Sequence, residues 1–365
     1  MTAKKFMKYL SALVMILMPF VSIAADGSQS HDKKVQEFDA TELIQHHIAD
    51  SHEFHFFDYG GHSYSLPLPV ILWTNSGLVT FMSSEFDHND DATVVVEKNG
   101  EQFVRYHGNI YYAAAFADVE PGAHVEAPSI TDFSKRPVNF SITKNVFALI
   151  MSVVFILILF NAVARSYKKN TAAPKGLAGF MEPLIVFVRD EIAIPNIGAK
   201  KYEKYMPYLL TVFFIIWVNN LFGLIPFFPF SSNLTGNIAF TFVMAMFTFL
   251  ITLFSGNKNY WGHIFNTPGV PVWLAPIMVP VELMGMLTKP VALMIRLFAN
   301  ITAGHIIILS LVCLIFIFQT VFIAPVSGAF VLFMSALEIL VAALQAYVFT
   351  LLSALFIGQA IEENH

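Results

Sequence analysis

From Met206 to its end, the chain carries only seven formally charged side chains: Lys258, Glu282, Lys289, Arg296, Glu338, Glu362 and Glu363. Between them lie long runs of Leu, Ile, Phe, Val and Met. No feature limits the fold more. In hydrocarbon every backbone N–H and C=O must be satisfied within the protein, so single apolar segments of this length cross a membrane as helices. The whole chain of 365 residues is 56% hydrophobic and 13% charged, against about 25% charged for a soluble domain. The remaining charges crowd into the first two hundred or so residues, so the chain has two solvents and two regions. Its net charge of −5 gives no basic surface for nucleic acid. The one cysteine, Cys313, lies in an apolar run and reads as a small buried hydrophobe.

Hydrophobic patterning divides the apolar half into about five spans. They are expected near Val146–Val163, Tyr208–Phe228, Ile238–Phe254, Val279–Phe318 and Phe330–Ile357. The fourth is too long for one upright helix and should tilt, bend or break, with Pro280 and Pro290 as places to do so. Leu177 to Ile194 reads as an amphipathic segment lying on the membrane surface, with Phe180, Met181, Leu184, Ile185, Phe187 and Val188 on its apolar stripe. The loop between spans one and two holds Arg165, Lys168, Lys169, Lys175, Arg189, Lys200, Lys201 and Lys204. The turns Pro229–Asn237 and Gln319–Ala329 hold no basic residue. The positive-inside rule therefore puts the first loop in the cytoplasm and both turns outside, leaving the C-terminus inside.

The first 25 residues read as a secretory signal. Lys4, Lys5 and Lys8 are its basic part, Tyr9–Ile23 its apolar core, and Ser22-Ile23-Ala24-Ala25 the cleavage region. Residues 26–145 form a polar extramembrane region on the outer side. Thr93–Tyr112 predicts a β-hairpin turning at Asn99-Gly100. Ser65–Thr74 and Gly77–Ser83 predict further strands, so the region is small and β-rich. It holds nine of the twelve histidines: His31, His46, His47, His52, His55, His62, His88, His107 and His124. No cysteine or fixed four-ligand spacing accompanies them, so solvated or hydrogen-bonded histidines are expected rather than a metal site.

An ionised side chain at the centre of a span costs about 2.5–3.5 kcal/mol on insertion scales unless it faces water or a partner. Glu282 and Lys289 lie near the start of span four and can reach the interface. Arg296 and Glu338 lie amid apolar sequence and must face protein or a polar pocket. Arg296 and Asn300, four residues apart, share one helix face. His305 lies nine residues beyond Arg296, on roughly the opposite face and about 13 Å along the axis. Glu338 and Gln345, seven apart, share a stripe about 10 Å long. Two antiparallel spans can then turn Arg296, Asn300 and Gln345 toward one surface, with His305 and Glu338 as a second polar patch nearer the outside. A carboxylate and an imidazole exchange protons readily, and a guanidinium effectively never does. Such a set suits a proton path ending at a fixed positive gate.

The segment Lys289-Pro-Val-Ala-Leu-Met-Ile-Arg-Leu-Phe-Ala-Asn-Ile-Thr-Ala-Gly-His305, with Leu344-Gln-Ala-Tyr-Val-Phe349 downstream, resembles subunit a of F-type ATP synthases. The resemblance spans about Val146 to Asn364. It implies an all-α polytopic membrane protein of about five transmembrane helices, with a long tilted helix pair facing a ring of c subunits. The β-rich N-terminal extramembrane region is added to that frame. In this resemblance Arg296 is the essential arginine facing the c-ring carboxylate, and Asn300 and Gln345 are its polar neighbours. His305 and Glu338 line the outer half-channel, with imidazole and carboxylate exchanged relative to many bacterial members, as in mitochondrial forms. Glu282 is a candidate for the cytoplasmic half-channel. Asn219 and Asn220 occupy a region where relatives carry polar channel residues. The implied partners are the c-ring, subunit b of the peripheral stalk, membrane lipid and protons, with no cofactor or metal. The implied location is a bacterial inner membrane.

Two other classes compete. A stand-alone secondary transporter could use Arg296 to bind an anionic substrate, but such folds show internal repeats, and none stands out here. A membrane enzyme needs a metal cluster or nucleophile constellation. The apolar half offers only His263, His305 and His365, with no aspartate after Asp190. Co-purification with a c-ring and stalk separates the first reading from the transporter.

Overall fold

The structure is a computed structural model. It describes residues 44, 50–59, 62–116, 134–169, 175–225, 232–265, 274–318, 320 and 322–362, all within one compact unit, Ala40–His365. The expected secretory signal and His31, His46, His47 and His124 lie outside the described residues.

Short strands come first: β1 (Glu53–Tyr59), β2 (His62–Pro67), β3 (Pro69–Thr74), β4 (Gly77–Met82), β5 (Val96–Lys98), β6 (Glu101–Tyr106), β7 (Asn109–Tyr112) and β8 (Val138–Asn139). They pair antiparallel as β1-β2, β4-β3-β8 and β5-β6-β7. The predicted Ser65–Thr74 strand is two strands broken at Leu68, and β1 was not anticipated. The expected Thr93–Tyr112 hairpin is a three-stranded meander. It turns at Asn99-Gly100 (φ 52° and 79°) and again at His107-Gly108 (φ 45° and 72°). Two consecutive positive φ values give the turn twist that joins antiparallel strands tightly. The second turn was missed because His-Gly is not among the Asn-Gly, Asp-Gly and Gly-Gly pairs that signal such turns.

Alternation along β3 and β4 sends Val70, Leu72, Val79 and Phe81 inward, where they meet Phe86, Val96, Phe103 and Ile110. Each fully buried side chain of this kind contributes about 1.5–3 kcal/mol. Buried Arg105 ties this module together. Its Nη1 lies 3.1 Å from Glu53 Oε1 and its Nε 3.2 Å from Asp90 Oδ1, and Nε donates to Asn89 O at 2.8 Å.

Among the described residues, eight α-helices follow: α1 (Lys144–Lys169), α2 (Leu177–Phe187), α3 (Ile194–Ile197), α4 (Tyr202–Gly223), α5 (Ile238–Ser255), α6 (Lys258–Phe265), α7 (Ala275–Phe318) and α8 (Ile323–Ile361). α1, α4, α5, α7 and α8 are each long and apolar enough to cross a membrane. The five expected spans are therefore present, with revised ends. α4 starts six residues before its predicted Tyr208, because Pro207 is accommodated inside the helix. α8 starts at Ile323, so much of the predicted turn Gln319–Ala329 is helical. α7 neither breaks at Pro280 nor at Pro290 and runs for 44 residues, about 66 Å at 1.5 Å per residue. Hydrocarbon is only about 30 Å thick, so a helix of that length lies strongly inclined or runs well beyond it.

The amphipathic segment is more than one element. It is α2, a π-helical stretch Val188–Ala193, and α3 in series. Met181, Val188, Ile192, Ala193 and Ile197 are buried in the same core as Tyr205, Leu209, Phe349, Ala354 and Ile357. It is a packed element of the helix bundle, with Leu177 and Phe180 left exposed. Periodicity finds an apolar stripe but does not say whether lipid or protein covers it. α3 presses so closely on α8 that a Cβ at Gly358 would overlap the Asn196 carbonyl oxygen. The free carbonyl groups at the α8 C-terminus are met from outside. Asn257 Nδ2 and Lys201 Nζ donate to Ile361 O at 2.9 and 3.2 Å, and Asn257 N donates to Ala360 O at 2.9 Å.

Candidate functional site

α7 and α8 form an adjoining helix pair. Leu293, Leu297 and Ile301 recur every four residues along α7 and bury that stripe in the bundle core. Arg296 and Asn300 interleave with this stripe and are exposed. Arg296 has no ion-pair partner among the described residues. The exposed residues around it include Gly285, Thr288, Ala292, Ala299 and Ala303, so another helix can approach this surface closely. Gln345 on α8 is only 5% exposed. The expectation of Arg296, Asn300 and Gln345 on one open surface is therefore corrected: Gln345 points into the bundle, because α8 packs against α4 there.

His305 and Glu338 are brought together across the pair. His305 Nδ1 lies 3.4 Å from Glu338 Oε1, with the side chains 18% and 5% exposed. That separation is longer than a well-formed hydrogen bond, and both Glu338 oxygens are buried without a hydrogen-bond partner among the described residues. Glycine makes the approach possible: a Cβ at Gly304 would stand 2.8 Å from Glu338 Oε1. On the far side of the imidazole, a Cβ at Gly223 would lie 3.7 Å from His305 Nε2 and 3.2 Å from Ser232 O. The Ser232 hydroxyl donates to Asn145 Oδ1, in the first turn of α1.

Ser232 and His305 thus flank Gly223, with Asn145 bonded to the one and Glu338 beside the other. Sequence reasoning missed Asn145, Ser232, Gly223 and Gly304. Only the two glycines left a trace, each marking a helix position without a side chain.

Asn219 and Asn220 are both buried in α4. Asn219 spends its Nδ2 on its own helix, donating to Ile215 O at 2.7 Å. Asn220 Nδ2 reaches Ala342 O on α8 at 3.1 Å, one turn from Glu338. Asn220 Oδ1 and Thr302 Oγ1 are buried without a hydrogen-bond partner among the described residues. Such groups cost about 1–3 kcal/mol each when left dry. The α4–α7–α8 contact therefore favours water over a sealed apolar seam.

The other end of α7 is polar too. Lys289 Nζ donates to Gln359 Oε1 at 3.0 Å and lies 5.4 Å from the Phe356 ring centroid. Glu282 is partly buried. Burial, joined by the nearby Glu282 charge, raises the Tyr260 phenol above its ordinary range. Deeper in, the Tyr208 hydroxyl meets Thr248 Oγ1 at 2.7 Å, and Thr248 Oγ1 meets Ser353 Oγ at 3.1 Å, linking α4, α5 and α8. Among the described residues, no three His, Cys, Asp or Glu side chains converge as a metal site.

Residues 146–358 match the family described as ATP synthase A chain, and residues 43–140 match a domain of unknown function. The chain is 48% identical over 256 residues to the ATP synthase subunit a of Chloroherpeton thalassium, covering 68% of this chain and 74% of that one. Against ATP synthase subunit a of Pelodictyon phaeoclathratiforme the identity is 47% over 255 residues, covering 67% and 73%. Against that of Chlorobium phaeobacteroides it is 41% over 294 residues, covering 78% and 82%.

Proposed function

The chain belongs to the ATP synthase A chain family, and from that membership we propose that it forms the static half of a rotary proton channel. The observation that carries this reading is an exposed Arg296 on a membrane helix, without an ion-pair partner among the described residues, and a histidine–carboxylate pair further along the same helix pair. A guanidinium in hydrocarbon needs an anion or water. The carboxylate of a passing ring helix supplies the anion. Arg296 draws that carboxylate into its ionised form and, holding its own proton, blocks direct flow between two half-channels. His305 and Glu338 pass protons along the outer half-channel, and Glu282 serves the cytoplasmic one. Asn300 orients the guanidinium from the same exposed surface, while Gln345 acts from the buried side. The c-ring is the rotating partner, the peripheral stalk holds this chain still, and the N-terminal domain faces the periplasm.

Facing is tested by cross-linking. Ala303 is exposed two turns from Arg296 on the same helical stripe. In the assembled complex, a cysteine in Ala303→Cys should form a disulfide with a cysteine placed two turns from the ring carboxylate. A cysteine that links only to lipid-facing or stalk positions would show that this stripe does not meet the ring.

A further inference from the structure

The β3-β4-β8 sheet carries large apolar side chains on both faces, with Thr80 the polar residue on the outward one. Val70, Leu72, Val79 and Phe81 fill the inner core. On the other face Trp73 pairs across strands with Leu78 and Val138. Phe140 lies beyond Val138, and Met82 lies opposite Pro69. Trp73, Leu78, Met82, Val138 and Phe140 are between 39% and 63% exposed. No residue of the three strands is charged. A one-sided antiparallel sheet alternates apolar with polar residues, whereas strands apolar on both faces are covered on both. An exposed apolar patch rich in large side chains marks a docking surface.

The attachment of this sheet says what covers it. After β8 the backbone stays bonded to β3, Phe140 N to Ile71 O at 2.9 Å and Ile142 N to Pro69 O at 3.1 Å. α1 begins two residues later. Its start is pinned to the same module: Lys144 N donates to Ser51 O at 2.8 Å, and Asn145 N donates to Asp50 Oδ1 at 3.1 Å. Phe147 meets Phe54 with ring centroids 5.5 Å apart. The sheet therefore runs into the membrane helix without a free linker. Four extended residues, Phe140 to Lys144, cover at most about 13 Å. Val146, Ile150, Val153 and Val154, the next exposed side chains, are apolar and belong to the span. The exposed sheet face thus lies within a few residues of the exposed apolar side chains of the span, and its tryptophan and phenylalanine are the residue types that settle at the headgroup level.

We propose that the Trp73–Leu78–Met82–Val138–Phe140 face of the N-terminal module rests on the lipid interface from which α1 enters the membrane. The module is then a plate lying on the bilayer beside the outer end of the polar path, not a free-standing domain.

The test uses the full chain in phosphatidylcholine vesicles. Trp217, Trp261 and Trp273 are replaced by phenylalanine, so that Trp73 is the only emitter. Lipid brominated high on its acyl chains should remove most of the Trp73 emission, while aqueous acrylamide removes little. Strong acrylamide quenching without a bromolipid effect would show the face open to water. Protection from both quenchers would show a protein, such as a second copy, covering it. Either result overturns the proposal. Val95 is equally exposed but lies outside the three strands. A tryptophan placed there by Val95→Trp, in a chain also carrying Trp73→Phe, should escape bromolipid. Equal quenching at both positions would remove the face-specificity and the proposal with it.

Discussion

Glu338 is a buried carboxyl without a hydrogen-bond partner among the described residues, held near an imidazole by the absence of a side chain at Gly304. Two outcomes follow at this scale. Glu338→Gln removes the exchangeable proton but keeps the shape, so proton flux through reconstituted complex should fall severalfold while assembly is unchanged. Unchanged flux would take Glu338 off the path. Gly304→Ala places a methyl against the same carboxylate. Because the obstacle is a flexible side-chain end, the cost should fall on flux rather than on thermal stability, which a paired flux and melting measurement reads. Arg296, Asn300, His305, Glu338, Gln345 and Glu282 were all legible as residues, since charge and polarity stand out in apolar sequence. Their environments were less so. Helical spacing gave the Arg296–Asn300 face, but the burial of Gln345 depends on how α8 packs against α4, which spacing along one helix does not encode. Ser232 and Asn145 were invisible because their role comes from neighbours distant in sequence.

Elements show the same division. Span number follows from hydropathy because the bilayer leaves so few alternatives. Span ends do not, since α4, α7 and α8 extend past the apolar runs into segments that their neighbours stabilise. One face of the α2–α3 segment, read from periodicity as an apolar stripe, packs against the bundle through Met181, Val188 and Ile197, and two variants test packing of this kind. Gly358→Ala drives a methyl into the Asn196 carbonyl, a backbone atom that cannot swing aside. It should lower the melting temperature of the complex or prevent assembly, and a variant that assembles with an unchanged melting temperature would contradict the close approach. Tyr208→Phe removes the hydroxyl that meets Thr248. Losing that bond should cost about 1 kcal/mol, read as a small fall in melting temperature with proton pumping intact.

For the whole molecule, the N-terminal β module and the helix bundle respond to pH for different reasons. His52 is 2% exposed. Burial, reinforced by the charge of Arg105, lowers its pKa from 6.5 to about 4. The unfolded chain takes up this proton near pH 6.5 and the folded module only near 4. Stability therefore falls as pH drops through that window, by about 3 kcal/mol for a shift of this size. Glu53 adds to the same trend. Burial opposes its charged form, but Arg105 and His88 together hold its pKa below the ordinary carboxylate value, so its stabilisation is also lost in acid. The protection factors of the β6 amides, the factors by which folding slows their exchange relative to the unfolded chain at the same pH, should fall between pH 6.5 and 4, and less so in His52→Gln. The bundle carries the central claim, that an exposed arginine on α7 couples proton flow to a partner's motion. The most direct measurement is ATP-driven acidification in inverted vesicles containing assembled Arg296→Ala complex. The account predicts no pumping from a complex that still assembles. Pumping at the unmodified rate would contradict it.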